Sequence, residues 1–450
     1  MRRMGFVCGA TVAAAIIVAV PAQSSQLASP STDWAYALAI QQDGKVVAAG
    51  LSRRSNLAFD SDRFALVRYT SKGRLDAHFG RGGKVLTAFQ HPSFSDAVAV
   101  QSDGRIVAAG GGVGGFELAR YSRRGDRDRS FGGSGRVVTD FGLGKKAYLR
   151  ARALAVQGDG KIVAVGFSHF ALARYLSNGK LDPTFGHGGT VLTRFYGDGA
   201  AAAAIQADGK IVVLGASRIV RYTARGKLDL SFGSSGVVRP RISLNALAIQ
   251  ADGNIVAAGG VQGPTHSADF ALVRYTPDGE LDESFGDGGV ALANFGADPT
   301  ENTEGSGEVA SSVAIQADGK IVAAGSTDVR GVFCGGKHAL RAAASAAAPD
   351  RRENMSICDD FALARFNADG SLDTTFGQMG TVVTAFTCCR SGARESASKA
   401  AAVAIQSDGK IVAAGLGAGY DFGLARYTVR GRLDPTFGDG GEVTTDFGSG

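Results

Sequence analysis

Residues 153–195 read ALAVQGDGKIVAVGFSHFALARYLSNGKLDPTFGHGGTVLTRF, and this stretch decides the fold. Two apolar runs flank Asp159-Gly160, and Asp-Gly between such runs signals a β-hairpin, because glycine supplies the positive φ that a tight turn requires. FALARY at 170–175 has strand composition, and Asn178-Gly179 after it is turn chemistry. GGTVLTRF at 188–195 supplies a last extended run, so the unit is four consecutive strands with no helical periodicity between them.

The opening phrase recurs at 37–50, 97–110, 202–215, 246–259, 312–325 and 402–415, each time followed by the other two phrases. Seven copies of a four-stranded unit predict an all-β fold, a seven-bladed β-propeller with four antiparallel strands per blade. The first strand is almost wholly alanine, valine, leucine and isoleucine, so both its faces must be covered. The fourth strand is more polar and in the fourth copy contains Pro240, which suits a sheet margin. The propeller occupies 34–450 with no room for a second domain, and 65 glycines fit its many tight turns.

DGKIVAAG, then FALARY, then LDxxFG resembles the delta-60 repeat family of exported bacterial propeller-like proteins, across essentially the whole chain after the leader. The resemblance implies fold and export and carries no catalytic residue onto this sequence. The fourth copy departs furthest, with RIVRY at 218–222 and VVRPRI at 237–242.

Arg2-Arg3, an apolar run over Ala10–Val20 and then Pro21-Ala22 have the anatomy of a signal peptide, giving a leader at 1–22 and a flexible linker at 23–33. No later run reaches the ~18 apolar residues of a transmembrane helix, so the expectation is an exported protein, secreted or periplasmic, and monomeric. A net charge of +6 from 48 basic and 42 acidic residues is too small and too evenly spread for a nucleic-acid footprint.

Features present seven times belong to the scaffold. Arg68, Arg120, Arg174, Arg221, Arg274, Arg365 and Arg426 fill one slot, and Asp76, Asp128, Asp182, Asp229, Asp282, Asp373 and Asp434 fill another. A reaction centre needs one constellation, whereas a buried arginine needs a carboxylate, so these read as structural pairs. The six histidines are isolated, and no phosphate loop occurs. GGGVGG at 110–115 joins two strands and reads as a turn. No catalytic residue is assigned.

Individual sequence lies in the connections from second to third strand and from fourth to the next first strand, which emerge on one face of an antiparallel blade. Binding function is usually carried by such loops. The expected contacts are Arg53, Arg54, Lys145, Lys146, Arg330, Lys337 and Arg341, with a protein or glycan as partner and no enzymatic role. The alternative is a secreted hydrolase or lyase with carboxylates or a metal at the loop face or channel mouth. No cofactor motif is present; clustered Asp298, Glu301, Glu304 and Glu308 could hold calcium but lack EF-hand spacing.

In the sixth copy the connection at about 326–360 swells around an alanine-rich segment. Cys334 and Cys358 bracket it, and Cys388 and Cys389 follow on the same face. With Cys8 removed in the leader, these are the remaining four of five cysteines, and an even number in an exported chain favours disulfides. Each of Cys334 and Cys358 bonded to one of the adjacent pair is preferred over Cys334–Cys358 with Cys388–Cys389, because neighbours strain a disulfide.

Overall fold

The computed structural model describes residues 17–18, 32–53, 62–144, 148–166, 169–195, 198–262, 268–295, 308–327, 360–386, 398–417 and 420–447. These residues form strands and turns, with no α-helix among them. In the first repeat the strands are Thr32–Ile40, Val46–Arg53, Arg63–Tyr69 and Lys84–Thr87, paired antiparallel in chain order. The Asp-Gly hairpin closes as read, with Gly44 N–H donating to the Gln41 carbonyl at 2.9 Å and Gly44 at φ 77°.

The expectation of seven separate four-stranded blades is corrected by the hydrogen bonding. There are six sheets: four of four strands, one of five and one of eight. Five sheets are therefore single blades, while the second and third repeats share one continuous sheet. Tyr148, Leu149 and Arg150 of the third repeat pair with Val113, Gly112 and Gly111 of the second. Glycine permits this approach, since a Cβ on Gly111 would lie 2.3 Å from the Leu149 carbonyl oxygen. GGGVGG is accordingly strand over most of its length, and the chain reverses only around Gly114, between Ile106–Val113 and Gly115–Tyr121. The five-stranded sheet gains Ile17–Val18, paired with Ala203 and Ala202.

The first strand of every repeat lies against Ile17–Val18, so these strands surround the central axis. In the four-stranded sheets the first strand is the inner edge, while in the third and fourth repeats it also pairs with Ile106–Val113 and Ile17–Val18 respectively, and its apolarity follows from packing between neighbours on both faces. Six hydrophobic clusters fill the spaces between consecutive repeats, and one joins Ala35, Val46 and Ala65 of the first to Ala402, Val412 and Phe422 of the last.

The sevenfold slots explain this closure. Arg174 Nε donates to Asp182 Oδ2 at 2.9 Å, its guanidinium stacks 4.6 Å from the Phe185 ring centre, and Nη1 donates to the Ala224 carbonyl of the next repeat. Equivalent arginines reach the next repeat all round, and Arg426 reaches Ser71 of the first. The pairing is thus within a repeat, and the arginine also stitches adjacent repeats. Tyrosines of the third strands add a second stitch, such as Tyr69 Oη to Thr445 Oγ1 at 2.7 Å. In the divergent fourth repeat Val238 stands opposite Ile219, where Thr193 stands opposite Phe170, and Tyr275 makes no such bond.

Candidate functional site

With repeated chemistry committed to the ring, the single-copy groups stand out. Each first strand carries one β-bulge at the same position, where the ladder register skips Tyr36, Asp96, Arg152, Ala201, Asn245, Ser311 and Ala401. Bulges re-aim a side chain and disturb pairing locally. The scaffold thus presents seven equivalent positions around the axis, and the sequence fills them unequally. The aromatic and charged choices fall in the first three repeats.

There Trp34 stacks on Tyr36 with ring centres 5.6 Å apart, and Tyr36 meets Phe94 at 5.9 Å. Arg150 lies 3.8 Å over Phe94 and forms a buried bidentate pair with Asp96, one bond being Nε to Oδ2 at 2.9 Å. Burial pushes the Tyr36 hydroxyl up, and Asp96 adds to this against the opposing Arg150 and Arg53. Tyr148, half-exposed at 46%, stands beside Arg150 and Asp96. The Trp34 indole N–H is buried without a hydrogen-bond partner. Arg150 belongs to the strand Tyr148–Val156 and its charge is already paired, so it adds no free cation to the loop face.

The residue before Trp34 opens a second cluster. Asp33, Asp421 and Asp446 each offer a carboxylate oxygen, and these oxygens lie within 4.8 Å of one another. Asp33 is the second residue of the first strand of the first repeat, paired opposite Ser52. Asp421 precedes the third strand of the last repeat, and Asp446 follows its fourth. All three emerge on the face of the individual connections, where the last repeat meets the first. Asp33 is 1% exposed; its Oδ2 accepts the Phe447 N–H at 2.7 Å, while Oδ1 has no partner. Burial raises the Asp33 pKa against the Phe447 N–H and nearby Ser52, and Asp446 adds repulsion. Burial, then Asp446 and Asp33, lift Asp421 to about 6, with Lys84 opposing. Tyr420, next to Asp421, sits at φ 65°, a strained conformation for a residue of that size.

Of the sequence-predicted contacts, Arg53 is brought close to the aromatic group and pairs with Asp62 through Nε to Oδ1 at 2.8 Å and Nη2 to Oδ2 at 3.0 Å. Arg54, Lys145, Lys146, Arg330, Lys337 and Arg341 lie outside the described residues. So do Asp298, Glu301, Glu304, Cys334, Cys358, Cys388 and Cys389. Glu308 is buried and accepts from Phe295 N–H at 3.3 Å and Thr327 Oγ1 at 3.1 Å. Sequence reasoning missed the carboxylate triad. Aligning the repeats by their bulges and asking which slots hold acids at both chain ends would have found it.

The architecture is that of a β-propeller repeat protein. Residues 41–79, 101–131, 157–185, 206–232, 250–285, 359–376 and 406–437 match the family described as Domain of unknown function (DUF5122) beta-propeller. No curated protein matches the chain. Among solved structures it is similar to the WD40 beta propeller domain of Doa1, at 8% identity and TM-score 0.45, covering 92% of this chain and 97% of that one. A protein from Lactobacillus plantarum is similar at 10% identity and TM-score 0.46, covering 87% of this chain and 94% of that one. The extracellular domain of the putative hybrid two component system BT4673 from B. thetaiotaomicron is similar at 10% identity and TM-score 0.36, covering 93% of this chain and 53% of that one. Among the described residues no helix is long and apolar enough to cross a membrane.

Proposed function

We propose that this chain is an exported, non-enzymatic binding propeller of the delta-60 kind, monomeric, which contacts a glycan or protein through its individual face. The signal-peptide anatomy of 1–22 supports export, and in an exported chain the cysteines of the insertion at about 326–360 favour disulfides. The observation that carries the reading is the grouping of Trp34, Tyr36, Phe94 and half-exposed Tyr148 beside the Asp96–Arg150 pair. Aromatic faces with polar rims suit sugar rings, which present an apolar face edged by hydroxyls. The unpartnered Trp34 N–H is a donor waiting for an acceptor. The test is capture of envelope glycans and secreted proteins by the exported chain, with a Trp34→Ala/Tyr36→Ala variant alongside. Capture should fall at least about tenfold, as for interface aromatics generally. Equal capture by the variant would remove the aromatic group from the binding surface.

A second reading, a hydrolase or lyase, rests on the carboxylate triad. Asp421 at about 6 is suited to general acid work near neutral pH. Activity against polysaccharide substrates that rises as pH falls toward 6 and disappears in Asp421→Asn would establish it.

A further inference from the structure

We propose that Asp33, Asp421 and Asp446 form a calcium site that clamps the last repeat onto the first. The donors are all carboxylate oxygens, which select a hard cation over zinc or copper. Oxygens all within 4.8 Å of one another can share one cation, and three carboxylates from separate segments suit the flexible all-oxygen shell of calcium, with ligands at about 2.3–2.6 Å, better than magnesium, which keeps several of its waters. Backbone carbonyls and water would supply the remaining ligands.

The independent observation is Asp33 Oδ1, buried in a residue 1% exposed and left without a hydrogen bond. The fold itself does not require this. Asp198, at the same slot of the fourth repeat, accepts from the N–H groups of Gly199 and Ala216 and from the Ser217 hydroxyl, and pairs with Arg218. Glu308, at that slot of the sixth, accepts from Phe295 and Thr327. Among the described residues, only the slot of the first repeat meets two further carboxylates. Among the described residues Lys84 is a nearby cation, and it donates to the Asp446 backbone carbonyl while standing 5.6 Å from the Phe447 ring.

The inference does not depend on the partner reading, because calcium uptake is measured with no partner present. The exported chain, stripped with chelator, is titrated with calcium by calorimetry and melted with and without it. One equivalent should bind in the micromolar to millimolar range typical of extracellular sites, and Tm should rise. Terbium gives a second readout, since Trp34, the only tryptophan, adjoins Asp33 and would sensitise its emission. Asp446→Asn should lose binding and the Tm response, whereas Asp269→Asn, at the slot between the fifth and sixth repeats that corresponds to Asp421, should keep both. Asp421→Ser, at a half-buried site, serves if Asp446→Asn misfolds. Absence of calcium binding to the wild-type chain at millimolar concentration, or unchanged binding in folded Asp446→Asn, overturns the proposal.

Discussion

Two junctions in the ring use the same three slots and reach opposite electrostatic outcomes. Between the fifth and sixth repeats they hold Glu308, Asp269 and Asn294, and the asparagine donates to Asp269 Oδ1 at 2.9 Å while Glu308 is taken up by a backbone N–H and a hydroxyl. Between the seventh and first they hold Asp33, Asp421 and Asp446, and one amide has become a third carboxylate. An acid at the head of the first strand is therefore acceptable to the scaffold when donors surround it. Three acids together, with Asp33 Oδ1 buried and unpartnered, are a departure from that pattern, which is why this junction reads as a site and the other as structure.

The largest expected effect comes from the part both junctions share. Asp182→Ala leaves Arg174 buried without its carboxylate and should cost about 3–5 kcal/mol in denaturant unfolding, as severed buried pairs do, without altering calcium uptake. A loss below about 1 kcal/mol would mean that the arginine stitches are surface-like. The same network governs acid stability. Burial raises Asp434, but Thr436, Lys410 and Arg426 outweigh it and hold the carboxyl at about 2, below its ordinary 3.8. A depressed carboxylate stabilises above its unfolded pKa, so stability should drop as pH falls from about 4 toward 2.

Glu117 tests what a lone buried acid costs. It stands at the position where Ala171 and Ala362 occur in other repeats, is 2% exposed, and has Oε2 unpartnered. Burial lifts it to about 7, with Ser93 and Arg136 opposing. Between its ordinary 4.5 and 7 the folded chain holds a proton that the unfolded chain has released, so stability declines as pH rises through that window. Glu117→Ala should abolish this slope and gain roughly 2–3 kcal/mol at alkaline pH, read from urea midpoints across pH. An unchanged slope would show that its acid is satisfied.

The smallest effect should come from converting one junction into the other. Asn294→Asp removes the donor from Asp269, whose carboxyl burial already raises, and should destabilise by about 1 kcal/mol near neutral pH, with calcium restoring the loss. If the variant is as stable as wild type with calcium absent, the three slots are not equivalent and the comparison fails.

Four strands per repeat, the Asp-Gly hairpins and the Arg–Asp slots were all legible in the sequence, because each depends on residues within about ten positions of one another. The charged loops were harder to read correctly. Arg150 follows Lys145 and Lys146 closely in the sequence, but strand pairing with Gly111 draws it into the fold and onto Asp96. The fusion of the second and third repeats depends on Gly111, which admits the Leu149 carbonyl, and glycine in a propeller sequence reads first as a turn.

By itself the sequence determined the all-β class, the repeat and the arginine network, since turn chemistry, alternation and a carboxylate eight residues from its arginine are local properties. Tertiary structure alone decided how repeats merge into sheets, which bulge positions face one another, and that Asp33 meets residues 421 and 446. The reason is closure. The Phe447 N–H reaches Asp33 across 414 positions because the ring returns to its start, and no local pattern records which side chains meet there.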